Sequence, residues 1–321
     1  MLTIKDILLA QQRLGSWIYH TPLQSDDVLG RHCGCHLYLK LENHQRTGSF
    51  KVRGALNRIS TLPEAERLKG VVTASMGNHG LGVAYAARAH GGIPVTIFLP
   101  HNAPKAKVDK LVGLGADVRL SGDSYESAHR AAESFRQAHN ITYVHAYDDP
   151  AVVAGQGTIG LEILADLPDV EAIVVPIGGG GLSAGIAVAA KTLNPTVRVI
   201  GVQPDASPAA YLSFRDGRAY EEYDATPTIA DGLAGGYGRI PFEIARDLID
   251  DVLVVSESDI RRAVRALLEY SQEVVEGSGA AAIAPLLSGQ LRLPGRKVVA
   301  VLSGHNIDAA VLHAILSESY H

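Results

Sequence analysis

Short apolar segments alternate with helical segments along most of this chain, and this alternation restricts the fold more than any other feature. Val71–Ala74, Val95–Leu99 and Ala172–Pro176 are apolar runs, each followed by a stretch with helical periodicity. The same pattern predicts further strands at 36–42, 117–120, 141–144, 197–202 and 297–302. Strands that alternate with helices form parallel sheets with right-handed crossovers. The sequence therefore predicts an α/β fold.

Residues 70–139 contain a strand–helix series of their own, which predicts a small α/β domain inserted into a larger one. The larger domain would comprise residues 1–69 and 140–321. The fold class expected is α/β with two open parallel-sheet domains, and a ligand would bind in the cleft between them. The chain has 321 residues, of which 46% are hydrophobic, so it can support two cores. Residues 206–251 are rich in Gly, Pro, Tyr and charged residues and are interpreted as surface loops around short helices.

Composition argues against several classes of protein. The net charge is -5 and no basic run occurs, so we expect no nucleic-acid partner. No segment approaches the ~18 apolar residues that cross a bilayer, and the N-terminus lacks the layout of a signal peptide. Cys33 and Cys35 are too close in sequence for an unstrained disulfide. They are interpreted as thiols in a cytoplasmic protein, although the flanking His32 and His36 leave a metal site open.

Lys51 lies in the stretch TGSFKVRGA, just inside a predicted helix. A lysine held at a fixed, partly desolvated position can lose its proton and act as an amine nucleophile. Taken alone, a lysine in a first helical turn is usually a solvated surface residue. The interpretation of Lys51 therefore depends on the other loops of the chain.

A run of four glycines, Gly178–Gly181, connects a predicted strand to a predicted helix. Such a turn presents bare N–H groups and the positive end of a helix to an anion, and it suits a phosphate. It is not a P-loop, because no Gly-Lys-Ser/Thr follows, and it does not match G-x-G-x-x-G. An ordinary tight turn is the alternative.

Two further polar loops follow predicted strands. The loop SMGNHG, residues 75–80, offers N–H groups, the Ser75 hydroxyl and the Asn78 amide to a carboxylate, and Ser303 follows the last strand. His79 could titrate, although a histidine at a helix start more often caps or packs. Polar loops at the carboxyl ends of parallel strands share one crevice. Together with Lys51 and the glycines, they match the needs of pyridoxal phosphate and an amino acid.

Six segments resemble, in order, motifs of the fold type II pyridoxal-phosphate enzymes, in the threonine/serine dehydratase and serine racemase branch. They are KLENHQRTGSFKVRGA, SMGNHG, AGQGTIGLEI, VVPIGGGGLSAGIA, TIADGLA and VLSGHN. The resemblance extends from about Tyr19 to Asp308 and implies a tryptophan synthase β-like fold with the cofactor in the interdomain cleft. Because the chain stops soon after the last motif, we expect no C-terminal regulatory domain.

The resemblance assigns cofactor-binding roles by position. Lys51 would be the Schiff-base lysine, Phe50 would pack beside the ring, and Asn78 would hydrogen-bond the ring 3-oxygen. Ser303 would face the ring nitrogen, and Glu276 matches a glutamate near the cofactor. The phosphate would be held by Gly178, Gly179, Gly180, Gly181 and Leu182.

The resemblance also implies that the substrate carboxylate is bound by Ser75, Asn78 and His79, with the backbone of Met76 and Gly77 between them. A hydroxyl at the ring nitrogen, unlike a carboxylate, does not hold that nitrogen protonated, and this favours prompt loss of a β-leaving group. We therefore predict β-elimination of a 3-hydroxy amino acid, by default L-threonine or L-serine, to a 2-keto acid and ammonium. Lys51 would take the Cα proton, and the cofactor phosphate would protonate the departing hydroxyl.

Two departures from the family pattern affect the prediction. Met76 stands where racemases of the family carry a serine, and a thioether cannot transfer protons, which counts against a two-base racemase. Gln203 and Ala209 stand where an acidic pair would bind a divalent cation, so we predict no metal, although Asp205 leaves some room.

Several alternatives remain at this stage. The first is an amino-acid racemase with residual elimination activity, and the second is a dehydratase of another 3-hydroxy amino acid, such as 3-hydroxyaspartate or phenylserine. A nicotinamide-dependent dehydrogenase could use the glycine turn, and a non-catalytic amino-acid sensor could use the same fold. The expected partners are a small amino-acid substrate and further copies of the chain, in a dimer or tetramer.

Overall fold

The computed structural model describes residues 2–75, 77–103 and 105–318, and all statements on structure refer to them. The strands are β1 (Leu23–Ser25), β2 (His36–Lys40), β3 (Val71–Ala74), β4 (Val95–Leu99), β5 (Asp117–Leu120), β6 (Thr142–Tyr143), β7 (Ala172–Pro176), β8 (Arg198–Pro204), β9 (Asp251–Val255) and β10 (Lys297–Val301).

The helices of the first half are α1 (Ile4–Leu14), α2 (Asp27–Cys33), α3 (Lys51–Ser60), α4 (Glu64–Lys69), α5 (Asn78–Ala89), α6 (Lys105–Gly113), α7 (Tyr125–His139) and α8 (Pro150–Asp166). Those of the second half are α9 (Gly181–Leu193), α10 (Ala209–Asp216), α11 (Arg239–Ala245), α12 (Glu257–Ser271), α13 (Gly277–Ala280), α14 (Ala284–Leu287) and α15 (Ala309–Ser317). None of these helices has the length and apolarity that a membrane span requires.

The strands form two sheets, as predicted. One sheet has the order β1-β2-β10-β7-β8-β9, and the other has the order β5-β4-β3-β6. All pairings are parallel except that β1 runs antiparallel to β2 at the edge of the larger sheet. The predicted α/β class with two parallel sheets is confirmed, and the antiparallel edge strand is an addition to it.

The smaller sheet extends slightly beyond the predicted insertion. Strand β6 pairs with β3, with Val71 opposite Thr142 and Val72 opposite Tyr143. From the sequence, residues from 140 onward are expected to belong to the larger domain. The division into domains stays a prediction, and this pairing favours a boundary beyond residue 143.

Helix α3 lies between α5 and α8, and glycines allow the close approach on both sides. A Cβ at Gly155 of α8 would lie 2.6 Å from the Arg53 carbonyl oxygen. A Cβ at Gly82 of α5 would lie 3.1 Å from the Lys51 carbonyl carbon. Real Cβ atoms essentially never approach as closely as the first distance, so α8 needs a residue without a side chain here. The two neighbouring helices therefore hold the start of α3, and Lys51 with it, in one place.

A buried cluster of four charged side chains connects α3 to α8 and to the segment around β2. Arg53 is fully buried and contacts Glu42 at 2.7 Å and Glu162 at 2.6 Å. Lys40, also fully buried, contacts Glu162 at 2.7 Å. The two positive and two negative side chains balance, which is the condition under which buried charges are tolerated. They come from the motifs KLEN, FKVRG and GTIGLE, so part of what those motifs share is structural.

Candidate active site

Lys51 is the first residue of α3 and is half-buried. Its Nζ donates to the Ala146 carbonyl oxygen at 3.1 Å and lies 5.1 Å from the centroid of the Phe50 ring. Burial lowers the pKa of Lys51 from 10.5 to about 8, although Glu276 acts in the opposite direction. Desolvation of this kind keeps part of the amine neutral near physiological pH. Lys51 is thus not the solvated surface lysine that was the alternative.

The four glycines connect β7 to α9 in a turn that excludes side chains. A Cβ at Gly179 would lie 2.2 Å from the Tyr147 ring, and one at Gly180, which has φ 93°, would lie 2.2 Å from Tyr237. The first intrahelical bond of α9 runs from Ala184 N to Gly180 O at 2.9 Å. The N–H groups of the preceding turn therefore have no acceptor inside the helix. Such free N–H groups favour an anion, and the assignment of this turn to a phosphate stays a prediction.

Residues 146 and 147 connect the lysine to the glycine turn. The Ala146 carbonyl accepts from Lys51, and the next residue, Tyr147, packs against Gly179 and Gly181. The amine and the glycine turn therefore both contact one short segment, residues 146–147. Leu182, by contrast, is buried in the apolar core, so only its backbone can face a phosphate.

The loop after β10 supports the residues before Lys51. Phe50 N donates to Ser303 O at 3.1 Å, and Ser49 pairs with Gly304 in an isolated antiparallel bridge. Ser303 is buried, and its hydroxyl is 3.5 Å from the Ser278 carbonyl oxygen, at the outer limit of a hydrogen bond. The hydroxyl is therefore only weakly engaged within the protein.

A hydrogen bond joins Glu276, which directly precedes α13, to Asn78, which begins α5. Asn78 Nδ2 donates to Glu276 Oε1 at 2.6 Å, and Glu276 N donates to Gly304 O at 3.1 Å. Burial raises the pKa of Glu276 to about 7, with a further contribution from Asp231, although the Asn78 hydrogen bond, Lys107 and Lys51 act in the opposite direction. The carboxyl group can thus exchange a proton near neutral pH.

The loop before α5 differs in part from the expectation. Ser75 Oγ accepts from Gly77 N at 3.2 Å and from Gly80 N at 3.0 Å, so the hydroxyl oxygen caps the helix and its proton remains available. His79 is buried, and its Nε2 donates to Val144 O at 2.9 Å. Burial and the nearby Lys51 charge lower the pKa of His79 to about 3, so the ring is neutral. Met76 lies outside the described residues.

The position predicted to lack a metal carries an internal hydrogen-bond network. Gln203 is fully buried, donates to Ile177 O at 3.2 Å and accepts from Ala210 N at 2.8 Å and Tyr211 N at 3.1 Å. Its amide therefore connects the residue just before the glycine turn to the start of α10. Within the described ranges, no three His, Cys, Asp or Glu side chains form a group that could hold a metal ion. Cys33 and Cys35 are free and buried, and burial raises the pKa of Cys33 to about 12.

Four residues that contribute to the site received no role from the sequence. Ala146 and Tyr147 follow β6, so the rule that polar loops after strands share a crevice could have included them. Asn306 belongs to the motif VLSGHN but received no role, and its side chain contacts Asn78 at 2.6 Å. Asp231 lies within TIADGLA and received no role, although its charge reaches Glu276.

These features define a class of protein: an enzyme that binds a phosphorylated, amine-reactive compound beside the carboxyl ends of parallel strands. Comparison with known proteins gives the same result. The family described as "Pyridoxal-phosphate dependent enzyme" matches residues 15–304. The L-threonine ammonia-lyase of Thermotoga maritima is 46% identical over 319 residues, which cover 99% of this chain and 79% of that protein.

A second relative is the catabolic L-threonine dehydratase TdcB of Escherichia coli K12. It is 45% identical over 310 residues, covering 96% of this chain and 94% of the relative. Among solved structures, maize serine racemase is similar with a TM-score of 0.91 and 34% identity, covering 98% of this chain and 97% of that chain. The chain therefore belongs to the pyridoxal-phosphate dependent enzyme family, and its cofactor is pyridoxal phosphate.

The residues present fit this cofactor. The glycine turn has no room for side chains, and its N–H groups precede the first intrahelical bond of α9. Lys51 offers an amine with a lowered pKa beside the Phe50 ring. An aldehyde-reactive amine and a phosphate cup are the two features that such a cofactor requires.

Proposed function

We propose that this enzyme dehydrates and deaminates a 3-hydroxy amino acid, with L-threonine as the main substrate and L-serine as a second one. The products would be a 2-keto acid and ammonium. Relatives at 45–46% identity are named for the threonine reaction. The observation that carries the proposal is the Lys51 amine, because its lowered pKa supplies a base at the head of α3.

Pyridoxal phosphate, when bound, supplies an aldehyde that captures amines and a ring that withdraws electrons from the substrate Cα. The protein's own contribution begins with Lys51, which anchors the cofactor and takes the proton from Cα. Phe50 restricts the space beside the amine, and the N–H groups of the Gly178–Gly181 turn and of Leu182 hold the phosphate. A pKa of about 8 suits a general base near neutral pH, because base strength and the neutral fraction are then balanced.

Three further groups complete the proposed site. Ser303 would face the ring nitrogen with a neutral hydroxyl, and its weak internal hydrogen bond leaves that hydroxyl available. Asn78 would donate to the ring 3-oxygen, and Glu276, which accepts from Asn78, would hold a proton close to the ring. These assignments rest on position in the family pattern together with the contacts among the three loops.

The substrate carboxylate would bind at the N-terminus of α5. N–H groups in the first turn of a helix have no intrahelical acceptor and attract anions. We assign the backbone N–H groups of Asn78 and His79 and the Ser75 hydroxyl to this role, with Gly77 allowing close approach. The His79 ring does not take part, because Val144 O already accepts its proton. That the Met76 thioether counts against a two-base racemase stays a prediction.

The test is a 2-keto-acid release assay over L-threonine, L-serine, 3-hydroxyaspartate and phenylserine. Lys51→Ala should abolish release while the fold is retained. Lys191→Ala is the matched control, because Lys191 pairs with Asp250 at the far end of α9 and should not affect turnover. Full activity in Lys51→Ala would refute the proposal.

The same assay separates the alternatives. Rapid formation of D-serine, measured by chiral chromatography, would favour a racemase, the activity named for the maize structure. Ligand binding without keto acid would indicate a sensor. A visible absorption band that borohydride removes would argue against a nicotinamide enzyme.

Three broader expectations also remain proposals. We propose that the small domain is the inserted block around β3–β6, that the protein acts in the cytoplasm, and that it forms a homo-oligomer. Buried free thiols at Cys33 and Cys35 support a reducing compartment. Exposed Trp17 and Leu8 on the outer surface are compatible with contact between copies.

A further inference from the structure

Four polar groups form a chain of hydrogen bonds that joins the two sheets. Asn306 Nδ2 donates to Thr47 O at 3.0 Å and to Asn78 Oδ1 at 2.6 Å. Asn78 Nδ2 then donates to Glu276 Oε1 at 2.6 Å. Asn78 begins α5, beside the smaller sheet, whereas Asn306 and Glu276 belong to segments of the larger unit. The Asn78 side chain thus connects the two units at the site.

The direction of each bond follows from the first acceptor. The Thr47 carbonyl can only accept, so the Asn306 atom beside it must be Nδ2. The same Nδ2 lies 2.6 Å from Asn78, whose facing atom must then be the oxygen. The amide of Asn78 is therefore oriented with its nitrogen toward Glu276, and one N–H of that nitrogen remains beyond the bond to Glu276.

We propose that Asn306 is a positioning residue that sets the orientation of the Asn78 amide, so that Asn78 presents a donor both to Glu276 and to the cofactor. This inference rests on the proposed function, because it explains how Asn78 would offer an N–H to the ring oxygen. Without Asn306, the Asn78 amide could turn over and present its oxygen instead. An oxygen there would repel an ionised carboxylate and an oxygen of the ring alike.

Glu276 reports the orientation of Asn78 before any cofactor binds. A donor at 2.6 Å stabilises the ionised carboxylate, whereas an amide that can turn over stabilises the protonated acid by accepting from it. Removing the Asn306 donor should therefore raise the pKa of Glu276. The other groups that act on Glu276 are Asp231, which raises its pKa, and Lys107 and Lys51, which lower it. None of these groups is altered in the variants below.

The first experiment titrates Glu276 in the cofactor-free protein. The C=O stretch of the protonated carboxyl is followed by infrared spectroscopy and assigned by its loss in Glu276→Gln. Asn306→Leu removes both donors without adding charge, and the midpoint should rise by about one pH unit. Asn194→Leu is the matched control, because Asn194 lies at the C-terminal end of α9, before the amino end of β8, and its side chain donates to Val170 O. An unchanged midpoint in Asn306→Leu would overturn the proposal.

The second experiment measures cofactor affinity by fluorescence titration. Asn306→Leu should weaken pyridoxal phosphate about three- to tenfold, the effect of one hydrogen bond. It should weaken the 3-deoxy analogue much less, because that compound lacks the ring oxygen. The double variant Asn306→Leu with Asn78→Ala should bind pyridoxal phosphate no more weakly than Asn78→Ala alone. Additive losses, or equal losses for both compounds, would show a merely structural role.

If Asn306→Leu does not fold, Asn306→Ser retains a single donor and should shift the midpoint in the same direction by a smaller amount. A shift in the opposite direction would also count against the proposal. The titration of Glu276 requires neither cofactor nor turnover. Failure of the lyase assay with Lys51 intact would therefore leave the titration result interpretable.

Discussion

The sharpest test of how this fold holds its lysine is removal of Arg53, which lies two residues after Lys51 on α3. Arg53→Met leaves Glu42, fully buried, without its ionic partner and leaves Glu162 with Lys40 alone. Removing one member of a buried ion pair typically costs about 3–5 kcal/mol, because an uncompensated charge remains in the interior. The first expectation is therefore a large loss of stability.

The size of the thermal effect follows from chain length. An unfolding entropy of about 2.1 cal/mol/K per residue converts that loss into a decrease in melting temperature of about 4–8 °C for a chain of this size. Scanning calorimetry of the cofactor-free protein measures it. Arg58→Met on the same helix is the matched control, because Arg58 pairs with Asp149 at 2.7 Å while both remain partly exposed. That pair should be worth about 1 kcal/mol or less.

A second variant tests the charge argument itself. Arg53→Met with Glu42→Gln restores electrical balance, so most of the lost stability should return. The pKa of Glu162 is lowered because Arg53 and Lys40 outweigh the effect of burial. The cluster therefore stabilises the fold at pH values above 4.5, the ordinary pKa of a glutamate. This contribution is lost as the pH falls through the lower pKa that Glu162 has in the folded state. The reasoning would be refuted if Arg53→Met cost no more than Arg58→Met, or if the double variant were as unstable as the single one.

Two further predictions concern the cofactor site. Acylation of Lys51 in the cofactor-free enzyme should increase through pH about 8, because only the neutral amine reacts, whereas an ordinary lysine would require pH near 10.5. Mass spectrometry of the labelled peptide measures the profile, with the same peptide in the unfolded protein as reference, and equal profiles for folded and unfolded protein would contradict the lowered pKa. Gly179→Ala should weaken pyridoxal phosphate binding about tenfold, because its Cβ would lie 2.2 Å from the Tyr147 ring. Fluorescence titration measures the affinity. The control Gly113→Ala, whose Cβ meets nothing within 4 Å, should leave the affinity unchanged.

Most strands of the two sheets could be predicted from sequence, and the strands that were missed lie in the larger sheet. Strands β3, β4, β5 and β7 occur at the predicted residues. The missed strands, β1 and β9, are the two edges of the larger sheet. β1 has only three residues, two of them exposed, so its signal is short. β9, with the sequence DVLVV, is an apolar run that directly follows the region interpreted as loops. Edge position alone does not explain the misses, because β5 and β6 are the edges of the smaller sheet and both lie in predicted strands.

The predicted site residues illustrate the same limit for side chains. Lys51 and the glycine turn could be identified because their chemistry depends on residue type and on position at a strand end. The His79 ring could not be assigned from sequence, because its partner, Val144 O, is 65 residues away in the chain. Glu276 and Asn78 are separated by 198 residues, so only the fold brings them to 2.6 Å.

The sequence by itself determined the α/β class and the chemical groups of the site, because local periodicity and backbone geometry express both within a few residues. Only the tertiary structure decided the pKa values and the hydrogen-bond orientations of those groups. The pKa of Lys51 decreases because neighbouring segments remove water from its amine. The orientation of the Asn78 amide follows from a donor on the loop after β10. Desolvation and hydrogen-bond direction depend on which distant segments meet, and no local pattern contains that information.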